Sequence, residues 1–268
     1  MKYKIGDVSK FLQISPDLLR YYEKKGVVHP EKGQANDYRY YDTWDMNFLV
    51  DCIWYKGFGF GIEQIAQMVT TTSYDELMQI MVSKEDDLRE SIRMQSLLLR
   101  RAGEYLDEMN AAREQYGKCD LCDSPQIVRY LNRYNFIYDN SADVQQIGQQ
   151  WLKYMPFSHR CFDIEPEALL SGGDDYAWGF SLGMEYVKEF QVPIQPPVVE
   201  IPAQRCVHSV FKSAGKNNFS PRLLQYALDW ADQQGLTILG GARGHLLCSV
   251  LEDDELTGYF EVWIPVKE

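Results

Sequence analysis

The sequence predicts an α+β chain in three parts: a small winged helical domain over residues 1–70, one long helix over 71–117, and a mixed strand-and-helix domain over 118–268. Three observations carry this prediction. Two short amphipathic segments near the N-terminus are followed by extended, turn-punctuated residues. From Tyr74 to Tyr116 there is no proline and only one glycine, and apolar residues recur at alternating steps of four and three. The remainder alternates strand-like and helix-like runs twice in the same order.

The first helix fits Ile5–Leu12, where Ile5, Val8, Phe11 and Leu12 fall at helical spacing. A second start follows at once. Ser15 suits an N-cap, Pro16 the first helical position and Gly26 the stop, which predicts a helix over 16–25. This is a helix-turn-helix pattern: Leu19 and Tyr22 share one side, while Asp17, Arg20, Tyr21 and Lys24 can face a groove and its phosphates. Val27 and Val28 can begin a strand, GQAND at 33–37 reads as a hairpin turn, and YRYY at 38–41 returns as the second strand of a wing. Arg-Tyr-Tyr thus occurs twice, at 20–22 and 39–41, and each copy offers a guanidinium and phenolic hydroxyls to a phosphate backbone. The bland alternative makes Tyr22 and Tyr40 core rings and leaves the arginines in solvent.

Charge supports placing a polyanion contact here and nowhere else. Residues 1–70 hold nine Lys/Arg and nine Asp/Glu, whereas the other 198 residues hold 18 and 30, so the whole net charge of −12 lies outside the N-terminal segment. No run approaches the roughly 18 apolar residues of a membrane span, and MKYKIGDVSKFLQ lacks the apolar block of a secretory signal. A cytoplasmic chain with no membrane partner is expected. The six cysteines are scattered, which reads as reduced thiols.

These residues resemble the MerR-type transcription regulators, whose N-terminal pattern is matched by IGDVSKFLQISPDLLRYYEKKGVVHP, NDYRYYD and KGFGFGIEQIAQM, covering residues 4 to about 69. The resemblance implies a dimer on promoter DNA, working with RNA polymerase holoenzyme. It places Arg20 and Tyr21 on the recognition helix, Arg39 and Tyr40 on the wing, and Lys56 on a second helix pair near DNA. The candidate DNA-contacting set is Ser15, Asp17, Arg20, Tyr21, Lys24, Tyr38, Arg39, Tyr40 and Lys56. One departure is the acidic tilt of residues 44–51, with Asp45 and Asp51.

The long helix carries Leu88, Ile92, Gln95, Leu99, Ala102, Leu106 and Met109 as a seam, with Met81 one heptad upstream. Alone it could not hide that stripe. The expectation is dimerisation, by the resemblance as an antiparallel coiled coil; packing on its own C-terminal domain is the alternative. GKCDLCDSP then ends the helix. One pair, Cys119 and Cys122, cannot fill a four-ligand zinc site, and His29, His159, His208 and His245 are dispersed, so no metal and no cofactor are expected. A metal- or redox-responsive regulator using Cys119 and Cys122 is the competing reading.

The C-terminal copies run 127–138, 142–155, 160–164 and 176–184, then 205–213, 220–235, 245–251 and 258–266, joined by the connector 193–202. This order resembles the GyrI-like effector-binding domain of multidrug-sensing regulators, which implies a cleft between two pseudo-repeats. In GYFEVWIPV one face presents Phe260, Val262 and Ile264, and the other Tyr259, Glu261 and Trp263; in YAWGFSLGM the matching residues are Trp178, Phe180 and Leu182, opposite Ala177, Gly179 and Ser181. A carboxylate ringed by aromatics suits a small lipophilic, cationic aromatic ligand. Otherwise the aromatics fill a core and Glu261 pairs with Arg243 or Lys267. Arg243 departs from a cation sensor by adding positive charge to the strand before the last, and Glu185 and Asp163 are the fallback acids. A ligand-responsive activator that distorts promoter DNA is the expected function. An enzyme is not expected: a GyrI-like hydrolase could use Glu261 as general base, but no Ser/His/Asp or Cys/His arrangement accompanies it.

Overall fold

The computed structural model describes residues 2–33, 38–215 and 218–267. They form two compact units, 1–95 and 96–268, whose boundary falls inside one helix. In the first unit the order is β1 (Tyr3–Lys4), α1 (Ile5–Leu12), α2 (Pro16–Lys24), β2 (Glu31–Lys32), β3 (Arg39–Tyr41), α3 (Thr43–Gly57), α4 (Ile62–Thr70) and the start of α5 (Tyr74–Gln115). Ser15 caps α2 by accepting from the Leu18 N–H at 3.2 Å, Pro16 occupies its first turn, and Gly26 takes the left-handed conformation after it, at φ +74°. β3 lies between β1 and β2. The wing therefore starts at Glu31 and not at Val27: Val27 and Val28 are buried in the turn after α2, where the small core holds more apolar area than a two-strand ribbon could cover. Gly33 N–H donates to the Tyr38 carbonyl at 2.9 Å, and the predicted turn at 34–37 lies outside the described residues.

Val8, Leu19, Tyr22, Tyr41, Leu49, Cys52 and Ile65 form the centre of this unit. The last tyrosine of each Arg-Tyr-Tyr is thus a core ring. Burial raises the Tyr22 hydroxyl and pushes the Tyr41 hydroxyl up to about 12. Asp45 is buried as well. It accepts from its partner Asp42 N–H at 3.1 Å and from His29 N–H at 2.7 Å, while Asp42 accepts from Asp45 N–H at 2.9 Å, so this acid is the far half of a capping box on α3.

α5 runs for 42 residues, about 60 Å at 1.5 Å per residue. On the predicted seam Leu88, Ile92, Leu99 and Leu106 are all exposed, whereas Leu97, Arg101 and Ala112 are buried on the other side. Within the second unit the buried stripe of the helix is thus not the stripe of Leu99 and Leu106, although Met109 of the seam is half-buried.

The second unit continues with β4 (Cys119–Asp123), β5 (Ile127–Tyr134), β6 (Ile137–Tyr138), α6 (Ala142–Trp151), β7 (His159–Ile164), α7 (Pro166–Ser171), β8 (Ala177–Gly183), α8 (Met184–Glu189), β9 (Val199–Ile201), β10 (Arg205–Ala214), α9 (Gln225–Gln233), β11 (Thr237–Ile238), β12 (Ala242–Glu252) and β13 (Glu255–Lys267). The main sheet has the order β4-β10-β13-β12-β7-β8-β5-β6, and its pairings are antiparallel. Each predicted copy supplies three neighbours, β5-β8-β7 and β10-β13-β12, in mirrored order, meeting where β7 pairs β12. β4 pairs β10 and β9 pairs β5, so the cysteine-bearing junction and the proline-rich connector both contribute strands that the sequence pattern did not predict. Phe162, Trp178, Val207, Phe211, Phe260, Val262 and Ile264 point to one face of the sheet and pack with Ala168 and Leu169 of α7 and Ala227 and Ala231 of α9. On the opposite face Ala112 of α5 packs with Val210 and Leu247, and the Tyr105 hydroxyl donates to the Leu247 carbonyl at 2.8 Å.

Candidate functional site

Two regions hold the predicted functional residues, one in each unit. In the first, Asp17, Arg20 and Lys24 are exposed on α2, Tyr21 is half-buried beside them, and Lys56 is exposed in the last turn of α3. Tyr38 is exposed on the wing with Lys4 5.8 Å from its ring centre, while Arg39 and Tyr40 are half-buried on β3. Ser15 is engaged as the α2 cap. The two arginines of the repeated tripeptide differ. Arg20 pairs with Asp17 one turn earlier at 2.5 Å in the open, a weak contact that a phosphate could replace. Arg39 instead joins Glu23 of α2 at 2.5 Å with both groups partly covered, which fixes β3 to α2. Lys25 joins Glu63 of α4 at 2.9 Å and holds a third element to α2.

In the second unit a cavity of about 240 Å³ opens on the sheet face turned to α5. Glu261 and Trp263 of β13 line it together with Arg129 of β5, Asp163 of β7, and Arg243 and His245 of β12. Glu261 is not a bare counter-ion. His208 Nε2 lies 2.7 Å from one of its oxygens, and the far nitrogen of that ring lies 2.9 Å from Asp120. Burial lowers the His208 pKa, but Glu261 and Asp120 more than offset it, so the net shift is upward and the ring carries positive charge more readily than a free imidazole. His245 Nε2 lies 3.4 Å from the other Glu261 oxygen without a hydrogen bond; burial, reinforced by the nearby His159, pulls its pKa well below the ordinary value and keeps it neutral. Both rings flank Trp263, each with its centre 5.5 Å away.

On the cavity wall Asp163 is shared by two arginines. It contacts Arg129 closely and lies 3.9 Å from Arg243 Nε. Burial nevertheless pushes its carboxyl up to about 6, against the pull of both guanidiniums. At the α5 end, Arg101 makes two bonds to Glu108, at 2.8 and 3.1 Å, and donates to His159 Nε2 at 2.7 Å and to the Pro156 carbonyl at 3.1 Å. Burial alone would raise the Glu108 pKa, but these partners hold it down at about 2.

The predicted ligand set is divided by the structure. Trp178, Phe180 and Leu182 point to the opposite face: Trp178 sits among Phe162, Phe219 and Phe260, Phe180 stacks on Tyr130, and Leu182 is fully buried. Ser181 and Gly183 face the cavity in their place, because a cavity needs the small residues of β8 and the helices need the large ones. Tyr259 shares the face of Glu261 but stands beyond the cavity, donating to Glu252 at 2.6 Å. Glu261 has an imidazole partner, and the cavity wall carries Arg129 and Arg243 together with Glu108, Asp163 and Glu261, so the carboxylate is not ringed by aromatics alone as expected. Arg129, His208 and Glu108 were not singled out in the sequence, although His159, His208 and His245 all occupy inward positions of alternating strands. Cys119 and Cys122 lie half-buried on β4 with both thiols raised by burial, and among the described residues no group of three or more His, Cys, Asp or Glu side chains is placed to hold a metal ion. Among the described residues no helix is long and apolar enough to cross a membrane.

Residues 3–72 match the family model described as MerR HTH family regulatory protein. The chain is 29% identical over 68 residues to the HTH-type transcriptional regulator ZntR of Escherichia coli K12, covering 25% of this chain and 48% of that protein. It is 34% identical over 65 residues to the HTH-type transcriptional regulator HmrR of Sinorhizobium medicae, covering 24% and 44%. The chain thus spans less than half the length of these relatives. A solved chain titled "Cryo-EM structure of EcmrR-DNA complex in EcmrR-RPo" aligns over 99% of this chain and all of that one, at 18% identity and a TM-score of 0.37. Residues 3–72 are thus similar to the helix-turn-helix segment of MerR regulators.

Proposed function

We propose that this chain is a ligand-responsive transcription regulator that binds promoter DNA as a homodimer, works with RNA polymerase holoenzyme, and activates by distorting the DNA when a small lipophilic molecule enters the C-terminal cavity. The observation that carries the proposal is the outward face of α2, with Arg20 and Lys24 exposed beside a wing fixed by Arg39 and Glu23, inside a segment matched by the MerR model. Residues 1–70 read the DNA, 71–117 pair the two copies and 118–268 sense the ligand. Mirrored strand order supports the reading of 118–268 as two pseudo-repeats of a GyrI-like domain with the ligand between them. The exposed seam at Leu88, Ile92, Leu99 and Leu106 supports pairing with a second copy, since such a stripe is covered in a stable helix pair.

Pairing and DNA binding are tested together. Leu99→Asp places a charge in the seam and should yield monomers by sedimentation that no longer protect a two-fold symmetric site in footprinting, at a cost of several kcal/mol to association. A variant that sediments and protects DNA like the wild type would remove the seam from the interface.

A further inference from the structure

A second cavity, of about 260 Å³, opens on the other face of the sheet, among Arg133, Arg160, Trp178, Phe219, Leu246 and Phe260. Its composition is one-sided. The bulge in β5 between Leu131 and Arg133 shifts the register so that Arg133 stands directly across from Trp178, and Arg160 reaches the same ring from β7. The guanidinium carbons lie 5.2 and 5.6 Å from the centre of the indole. Neither arginine makes a hydrogen bond or ion pair with a described residue, whereas Arg129, Arg205, Arg222 and Arg243 of the same unit each have a carboxylate within 4 Å. Trp178 is 7% exposed, and its indole N–H has no partner among the described residues. The buried Nε of Arg133 has none either. Two positive charges and an unmatched indole donor therefore converge in a cavity whose described lining includes the neutral polar side chains of Ser213, Asn218 and Ser249 but no carboxylate, in a chain whose net charge is −12.

We propose that this cavity binds an aromatic carboxylate, with the acid group received by Arg133, Arg160 and the Trp178 N–H and the ring lying against Phe219 and Phe260. Planar guanidiniums held over an indole keep their donor edges fixed and bind a carboxylate through two parallel bonds. The apolar rings cover the remainder of the ligand, and a cation would meet two like charges. The site is distinct from the cavity on the α5 side and does not depend on it.

The test is calorimetric titration of the full chain with 1-naphthoate and, as its matched cation, 1-naphthylmethylamine. Naphthoate should bind one site per chain, the amine should not bind there, and Arg160→Gln should weaken naphthoate tenfold or more, with Arg133→Gln plus Arg160→Gln abolishing the heat. Arg160 is exposed, so its single variant should melt like the wild type, and Lys153→Gln should control for the loss of one positive charge. Naphthoate binding of unchanged affinity in Arg160→Gln and the double variant would overturn the assignment, as would equal affinity for the amine or no saturable naphthoate binding. Restoration by Arg160→Lys of only part of the affinity would support bidentate recognition.

Discussion

The two faces of the C-terminal sheet use the same strands for opposite ends. One face buries Phe162, Phe211, Phe260, Val262 and Ile264 under helices, and its stability is that of packed rings and aliphatic chains. The face toward α5 holds Arg129, Asp163, Glu261, His208, His245 and Glu108, each in contact with an opposite or titratable neighbour. Adjacent residues of β7 show the contrast directly: Phe162 is a hub of four aromatic contacts, and Asp163 next to it is a buried acid between two arginines. A period of two lets one strand build a rigid wall and an adjustable one. Packing on the first face is worth more to stability, and charge on the second makes that face titratable.

Phe162→Ala should be the most damaging substitution, costing about 3–5 kcal/mol in urea denaturation because its neighbours cannot close on the space left. A loss under 1 kcal/mol would show that the ring cluster repacks and that the contrast between faces is overstated. The next effect is a pH dependence. Asp163 holds its proton up to about 6 in the folded chain but loses it near the ordinary Asp value of 3.8 when unfolded, so folding is favoured more at low pH. Between about pH 4 and 6 the wild type should lose stability on the order of 2 kcal/mol relative to Asp163→Asn, with the two curves parallel above that range. Curves parallel throughout would mean that Asp163 titrates normally and that the second face is not under electrostatic tension. Glu261→Gln should matter least to stability, within about 1 kcal/mol, since the amide keeps a partner for His208. Its signature is spectroscopic: the His208 pKa, followed by ring-proton NMR, should fall when the carboxylate is gone, and an unmoved value would assign the upward shift to Asp120 alone.

How much of this was legible in the sequence depended on whether the signal was local. Ser15, Pro16 and Gly26 mark α2 because capping and turn chemistry act within a few residues, and α5 is visible because nothing between Tyr74 and Gln115 interrupts a helix. The alternation of β13 assigns Phe260, Val262 and Ile264 to the helix side without a partner strand being known. What local pattern could not reach was the face of β8. Trp178, Phe180 and Leu182 alternate as cleanly as Tyr259, Glu261 and Trp263, and only the pairing of β8 with β5 and β7 settles that the large residues turn away from the cavity. The same holds for Asp45, which reads as surface charge but closes a capping box, and for three histidines separated by 86 residues of chain from His159 to His245 that meet around Trp263 and Arg101.

The pairing of β4 with β10 and of β9 with β5 has one more consequence. By chain order β4 leads into the first set of strands and β9 into the second, yet each lies along the rim of the other set. The halves are interlocked like folded arms. Cutting the connector near Pro193 would not release two self-sufficient modules, because each fragment would carry away a strand that finishes its counterpart and would itself be left with a bare backbone rim. The domain can therefore be inherited, swapped between proteins or unfolded only as a whole, however plainly its strand order is doubled.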